Sequence, residues 1–190
     1  MSGQSKKIGL LGGSFNPAHE GHVYISKQAL DILELDEIWW LVSPQNPLKS
    51  ADGMAEFTIR LKQAKEITSS NPKIIISDFE KKSDTQYTYD TLLALKKEYP
   101  DNKFIWLMGA DNAIQFHKWH KWKELAQENY IAIFNRDDQK EDALTSEFAN
   151  EFKDSQCKDS KTLTSSSAPA WVFLDIDTHS ASSTEIRKTS

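Results

Sequence analysis

The chain has 190 residues, 38% hydrophobic and 27% charged, which suits one globular domain with a sizeable core. Its net charge of −5 argues against nucleic acid as the main partner, since that binding rests on excess Lys and Arg, yet allows a local positive pocket. The single cysteine, Cys157, excludes an intrachain disulfide, and no leader-like or membrane-spanning apolar run is visible, so a cytoplasmic protein without a membrane partner is expected.

In chain order, Ile8, Leu10 and Leu11 form a short apolar run broken by Gly12 and Gly13, as when a buried parallel strand ends in a tight turn. Two residues without Cβ let the backbone come close to a bulky polar ligand. Asn16 and Pro17 give a turn-and-cap signal. Gly21 then opens a helix to Leu35, with Val23, Ile25, Ala29, Leu30 and Leu33 on one stripe. His19 and His22 are three apart and share a face on the first turn of that helix. Unpaired N–H groups and the positive end of the helix dipole already favour an anion there, so the pair reads as a phosphate site. Two metal ligands are the alternative, disfavoured because no Cys, Asp or Glu stands nearby at zinc spacing. The P-loop pattern GxxxxGK[ST] is absent, which argues against a Walker-type ATPase.

Glu37–Ser43 reads as a second strand ended by Pro44 and Pro47, and Lys49 follows in the same loop. A lone Lys after prolines is ordinarily solvated, but this loop shares a sheet edge with the His pair, where a phosphate contact is chemically apt. A helix over 55–68, a strand over 73–77, a helix over 88–99 and a strand over 104–108 come next. Short helical pieces to Gln127, a strand over 130–134, a strand over 171–176 and a helix from Ser183 complete the pattern. Residues 137–152 suggest an amphipathic surface helix, and 153–170, rich in Ser, Asp and Lys, a mobile loop. Short apolar strands alternating with helices mean an α/β fold, a parallel sheet with helices on both faces, in one domain spanning 1–190. Ligands of such sheets bind beyond the carboxyl ends of the strands.

Several clusters fall at that edge. Gly109, Asp111 and Asn112 follow the fourth strand, where Gly permits close approach and the amide and carboxylate can read sugar hydroxyls or a base edge. A plain helix cap, with Asp111 capping, explains the same residues. Trp119 suits an aromatic plate at a pocket mouth and Trp122 a core position, while His117 and His120 read as solvated or as a pseudo-metal pair. Thr88, Asp90 and Thr91 open a helix, as a capping box or as a second ligand-facing terminus. Ser182, Ser183 and Thr184 open the last helix with Arg187 one turn on, either an ordinary cap or a phosphate nest with a bidentate clamp.

The motifs GGSFNPAHEGH, SPQNPLK, YTYDTL, GADN, the Trp119 region, Asn135-Arg136 and SSTEIR resemble those of the bacterial nicotinate-nucleotide adenylyltransferases, within the HxGH nucleotidylyltransferases, over nearly the whole chain. The resemblance implies a Rossmann-like sheet and transfer of AMP from ATP to nicotinate mononucleotide, giving deamido-NAD and pyrophosphate, with Mg²⁺ accompanying ATP and no separate protein metal site. It implies that His19, His22 and Arg187 act on the phosphates. Gly12, Gly13, Ser14, Phe15, Lys49, Gly109, Asp111, Ser182, Ser183 and Thr184 would then hold ATP, and Thr88, Asn112, Trp119 and Arg136 the nicotinate nucleotide. Asn16 stands where the family more often has Asp, and Ala181 where Ile usually precedes the Ser-Ser-Thr. The rivals are pantetheine-phosphate adenylyltransferase, which usually has Thr for the first His and lacks the YTYDTL and GADN–Trp middle, and a non-catalytic nucleotide-binding module. Strictness for the acid over the amide acceptor, and the oligomeric state, are left open by the residues.

Overall fold

The structure, a computed structural model, describes residues 5–44, 53–135 and 139–177. Lys49, Arg136, Ser182, Ser183, Thr184 and Arg187 lie outside the described residues.

The six strands are β1 (Lys7–Gly13), β2 (Glu37–Val42), β3 (Ile74–Ser77), β4 (Lys103–Gly109), β5 (Tyr130–Phe134) and β6 (Ala170–Leu174). All pairings are parallel, in the order β3-β2-β1-β4-β5-β6, so the expected Rossmann-like α/β sheet is present. Side chains alternate across it. Ile8 and Leu10 join Trp106, Met108, Ile131, Ile133 and Trp171 in one buried cluster. Leu11 joins Trp40, Ile105, Leu107, Ala132 and Phe134 in the other. Burial on both faces is why these strands read as continuous apolar runs rather than alternating ones.

The helices are α1 (Glu20–Ile32), α2 (Phe57–Ile67), α3 (Phe79–Lys82), α4 (Thr88–Glu98), α5 (Ala110–Ile114), α6 (Trp122–Gln127), α7 (Lys140–Leu144) and α8 (Glu147–Glu151). Ala29 of α1 and Ala64 of α2 pack into the second cluster, and Leu92 and Leu95 of α4, Ala113 of α5 and Leu125 of α6 into the first. No helix among the described residues is long and apolar enough to cross a membrane.

Four local expectations change. Gly12 and Gly13 are not a turn that breaks β1 but its last two strand residues, paired with Leu41 and Val42, and the chain turns at Phe15 with a left-handed φ of 47°. The expected surface helix over 137–152 is two short helices, its described part broken at Ser146, whose Oγ accepts the Ala149 N–H at 3.2 Å. It is not a surface element either: Ala143, Phe148, Ala149 and Phe152 are buried, with Phe148 against Phe116 and Trp171. Helix α3 was not legible at all. The stretch 153–170, expected as a mobile loop, carries two short 3-10 turns, buries Leu163 completely and bridges Gln156 to Trp171.

Arg60 of α2 is only 1% exposed. Its guanidinium donates to four main-chain carbonyls: Ala55 at 2.9 Å, Ser14 at 2.5 Å, Ser43 at 2.9 Å and Pro44 at 2.9 Å. One side chain thus ties the loop after β1 to the loop after β2. Asn16 supports the same join from the other side: its amide donates to the Gly53 carbonyl and its Oδ1 accepts the Ala55 N–H, both at 3.1 Å. Aspartate could make only the second of these bonds.

Replacing Arg60 by Met keeps much of the volume and strands four carbonyls. Arg60→Met is expected to lower unfolding stability by about 3 kcal/mol, measured from the urea midpoint at constant slope. Arg60→Lys, which keeps the charge but not the fork, is expected to lose less.

Candidate active site

The chain runs outward from β1 to β2 and β3, then returns to β1's other side as β4. Connections therefore diverge between β1 and β4, and a crevice opens beyond their carboxyl ends. A cavity of about 500 Å³ occupies it. Gly12, Gly13 and Ser14 form its floor from β1, with Trp106 from β4 and Ser43 beyond β2. Glu80 of α3 and Tyr87 and Thr88 at the start of α4 form one side; Asn112, Lys118, Trp119 and His120 belong to the chain after β4.

Gly12 is where the missing side chain matters. A Cβ there would lie 2.5 Å from Cη2 of Trp106, so the close approach is made to this indole as well as to the cavity. Trp119 stands edge-on to Trp106, ring centroids 6.2 Å apart, and also rests on Phe116 at 5.2 Å. It is therefore both packed and presented to the cavity, while Trp122 packs on Phe116 and Phe152. His120 is exposed, but its ring lies 4.5 Å from that of Tyr87, so the two walls touch at the rim.

His19 and His22 cap α1 reciprocally. The Gly21 N–H donates to His19 Nδ1 at 3.1 Å, and the His19 N–H donates to His22 Nδ1 at 3.2 Å. Each Nδ1 thus accepts a main-chain proton, which places the ring proton of the neutral imidazole on Nε2. The rings lie 3.8 Å apart, and His22 packs on Phe15, itself stacked on Trp40 at 4.7 Å. The spacing of three that suggests a metal pair is here a cap that fixes two imidazoles in one tautomer.

The structure brings Gly12, Gly13, Ser14, Thr88, Asn112 and Trp119 together around one cavity. Phe15, His19, His22, Gly109 and Asp111 are not among the lining residues; the first three form the ring stack at the head of α1. Gly109 itself is the N-cap of α5, so Asp111 lies within the first turn instead of capping it. No capping box opens α4, because its N-cap is Tyr87, whose side chain makes no cap bond. His117 is half-buried rather than fully solvated, its Nδ1 4.0 Å from Glu147.

Sequence reasoning missed Ser43, Trp106, Arg60 and Glu80. Glu80 is 7% exposed, accepts a hydrogen bond from the Ser43 hydroxyl, and has its pKa pushed up to about 7 by burial. Nothing local marks it, since FEKK reads as an ordinary solvated turn of helix.

The cytidylyltransferase-like family model matches residues 10–189. A protein of Parvibaculum lavamentivorans bearing the name "Probable nicotinate-nucleotide adenylyltransferase" is 46% identical over 184 residues, covering 96% of this chain and 91% of that protein. One of the same name from Ruegeria sp. is 44% identical over 183 residues, covering 95% and 96%. Among solved structures, the Plasmodium falciparum nicotinic acid mononucleotide adenylyltransferase complexed with NaAD superposes with a TM-score of 0.74 at 25% identity, covering 96% of this chain and 83% of that one.

A carboxyl whose folded pKa lies above its unfolded value of 4.5 keeps its proton longer when folded, so stability falls as pH rises from about 4.5 to about 7 and then stays low. Glu80→Gln removes that loss and can still accept from Ser43. The variant is expected to be more stable than the parent at pH 8, by about 2 kcal/mol, and to converge with it near pH 4.5, as read from urea midpoints across pH.

Proposed function

The chain belongs to the cytidylyltransferase-like family and, within it, to the nicotinate-nucleotide adenylyltransferases, and from that premise we propose that it transfers the adenylyl group of ATP to nicotinate mononucleotide in the cytoplasm, releasing pyrophosphate and forming deamido-NAD for NAD biosynthesis. The observation that carries this reading is the gathering of a glycine floor, the start of α4 and an indole plate around one crevice between β1 and β4, with two oriented imidazoles at the head of α1, the helix that follows the glycine floor in the chain.

The reaction needs no covalent intermediate. A phosphate oxygen of the mononucleotide attacks the α-phosphorus of ATP in line, the bond to the bridging oxygen breaks, and pyrophosphate leaves. Such transfers depend on positioning and on neutralising charge that spreads over non-bridging oxygens. Two Nε2–H groups beside the start of α1 are suited to that task, and both carry their hydrogen before any ligand arrives. His22 is proposed to donate to the α-phosphate as it becomes pentacoordinate, and His19, with Arg187, to hold the leaving phosphates. Phe15, Lys49, Gly109, Asp111, Ser182, Ser183 and Thr184 are proposed to complete the ATP side. Gly12 and Gly13 let the nucleotide approach the strand ends, and Thr88, Asn112, Trp119 and Arg136 are proposed for the pyridine nucleotide.

Among the described residues no group of three or more His, Cys, Asp and Glu could hold a metal ion. Mg²⁺ keeps several waters and is usually held through substrate phosphates rather than by a protein cage. Bound with ATP, Mg²⁺ supplies charge neutralisation on the phosphates.

Incubation with ATP and one acceptor at a time is expected to release pyrophosphate with nicotinate mononucleotide and not with phosphopantetheine. Silence with every acceptor would overturn the reading. His22→Ala is expected to lower kcat by about 10²–10³-fold, as for loss of one oxyanion donor. Turnover within threefold of the parent would remove His22 from the role. Trp119→Ala is expected to raise KM for the pyridine nucleotide about tenfold and leave KM for ATP unchanged, measured by varying each substrate separately.

A further inference from the structure

A cavity meant for two phosphorylated substrates has every electrostatic reason to exclude a carboxyl, yet Glu80 is buried in its wall. Among the described lining residues it is the single acidic group, and no cationic side chain pairs with it among the described residues. Its recorded partner is the Ser43 hydroxyl, and the Ser43 carbonyl is in turn held by Arg60 at 2.9 Å, so the carboxyl sits on a fixed support. The groups facing it are few. Arg60 reaches it from α2 only by way of Ser43, and Lys118 and His120 stand on the wall of the same cavity that follows β4. On its own short helix Lys82 is engaged with Asp78, and Lys81 lies over the Phe57 ring.

The proposed acceptor carries one fixed positive charge, the N-ribosylated pyridinium ring, besides its anionic phosphate and carboxylate. Lys118 and His120 suit the anionic groups. The indole face of Trp119 suits a cationic ring, by stacking and by cation–π attraction. A carboxylate in the same cavity, on α3, completes the match. We propose that Glu80 is a specificity residue for the acceptor, ionising when the pyridinium enters and reading its positive charge. This rests on the functional reading given above. The step balances simply: the carboxylic acid loses its proton to solvent, and the carboxylate left behind faces the ring cation. Burial, which pushes the carboxyl's pKa up to about 7, then works for selectivity. A neutral ring gains nothing from ionising the group, and a cationic ring does.

The test pairs two ligands with two proteins. The full chain and Glu80→Gln are titrated calorimetrically at pH 7 with nicotinate mononucleotide and with its neutral-ring analogue, 3-carboxyphenyl C-riboside 5′-phosphate, which keeps the shape, carboxylate and phosphate. The parent is expected to prefer the cationic ring at least tenfold more strongly than the Gln variant does, with KM for ATP the same in both. Repeating the titration in two buffers of different ionisation enthalpy is expected to reveal about half a proton more released by the parent than by the variant. Equal ratios in the two proteins, within twofold, would overturn the proposal. So would a parent that binds both ligands alike, a result that needs no variant to fold. Failure of the functional reading is read elsewhere, as absent pyrophosphate release with nicotinate mononucleotide; the binding ratio still decides the role of Glu80.

Discussion

Everything at the site depends on β1 pairing in parallel with both β2 and β4. Because the next strands in sequence go to one side of β1 and the later ones to the other, the loops beyond its carboxyl end cannot fold over it and must part. That gap is the cavity. Its floor is the main chain of Gly12, Gly13 and Ser14, and its shape is kept by Arg60, which spans the loops after β1 and β2 with one guanidinium. A planar fork with five donors suits this task, since one side chain satisfies carbonyls on three stretches of chain.

The charges around that gap are arranged by sign and by support. At the head of α1 two imidazoles are each held in the Nε2–H form by a main-chain donor, an arrangement that, with the helix dipole, suits the anion proposed for it. At the other wall a buried carboxyl rests on Ser43, which Arg60 fixes. The reaction proposed for this family member moves an adenylyl group from a polyphosphate donor to a nucleotide with a cationic ring, so one site must accept both signs at once. Keeping the two kinds of group on separate, independently braced elements meets that requirement without forming an internal ion pair that would cancel both.

Much of this is written in the local pattern of the chain. Apolar runs such as FIWLM and YIAIF announce strands buried on both faces, and GG followed by two histidines three apart announces the strand end and the capped head of α1. What could not be read is what depends on distant partners. Glu80 and Arg60 lie in stretches that look like ordinary charged helix, and only the fold turns them inward. Gly12 reads as ligand space, whereas it also clears room for Trp106, a residue 94 positions later. The two aromatic residues Phe148 and Phe152 sit among polar neighbours, so residues 137–152 read as surface until Phe116 and Trp171 are seen to receive Phe148, and Trp122 to receive Phe152. Helix capping misled in the same way. Tyr87 and Gly109 occupy the cap positions that Thr88 and Asp111 seemed made for, because tertiary contacts set where each helix starts.

The central claim is that one crevice between β1 and β4 holds both reacting nucleotides, with the phosphates at the head of α1 and the pyridine ring on Trp119. A crystal structure of the full chain with deamido-NAD bound tests it most directly. The expected result is the pyridine ring stacked on the Trp119 indole, with the adenosine-side phosphate within hydrogen-bond reach of His22 Nε2. Dinucleotide bound elsewhere, with the Trp119 face bare and no phosphate near His19 or His22, would contradict it.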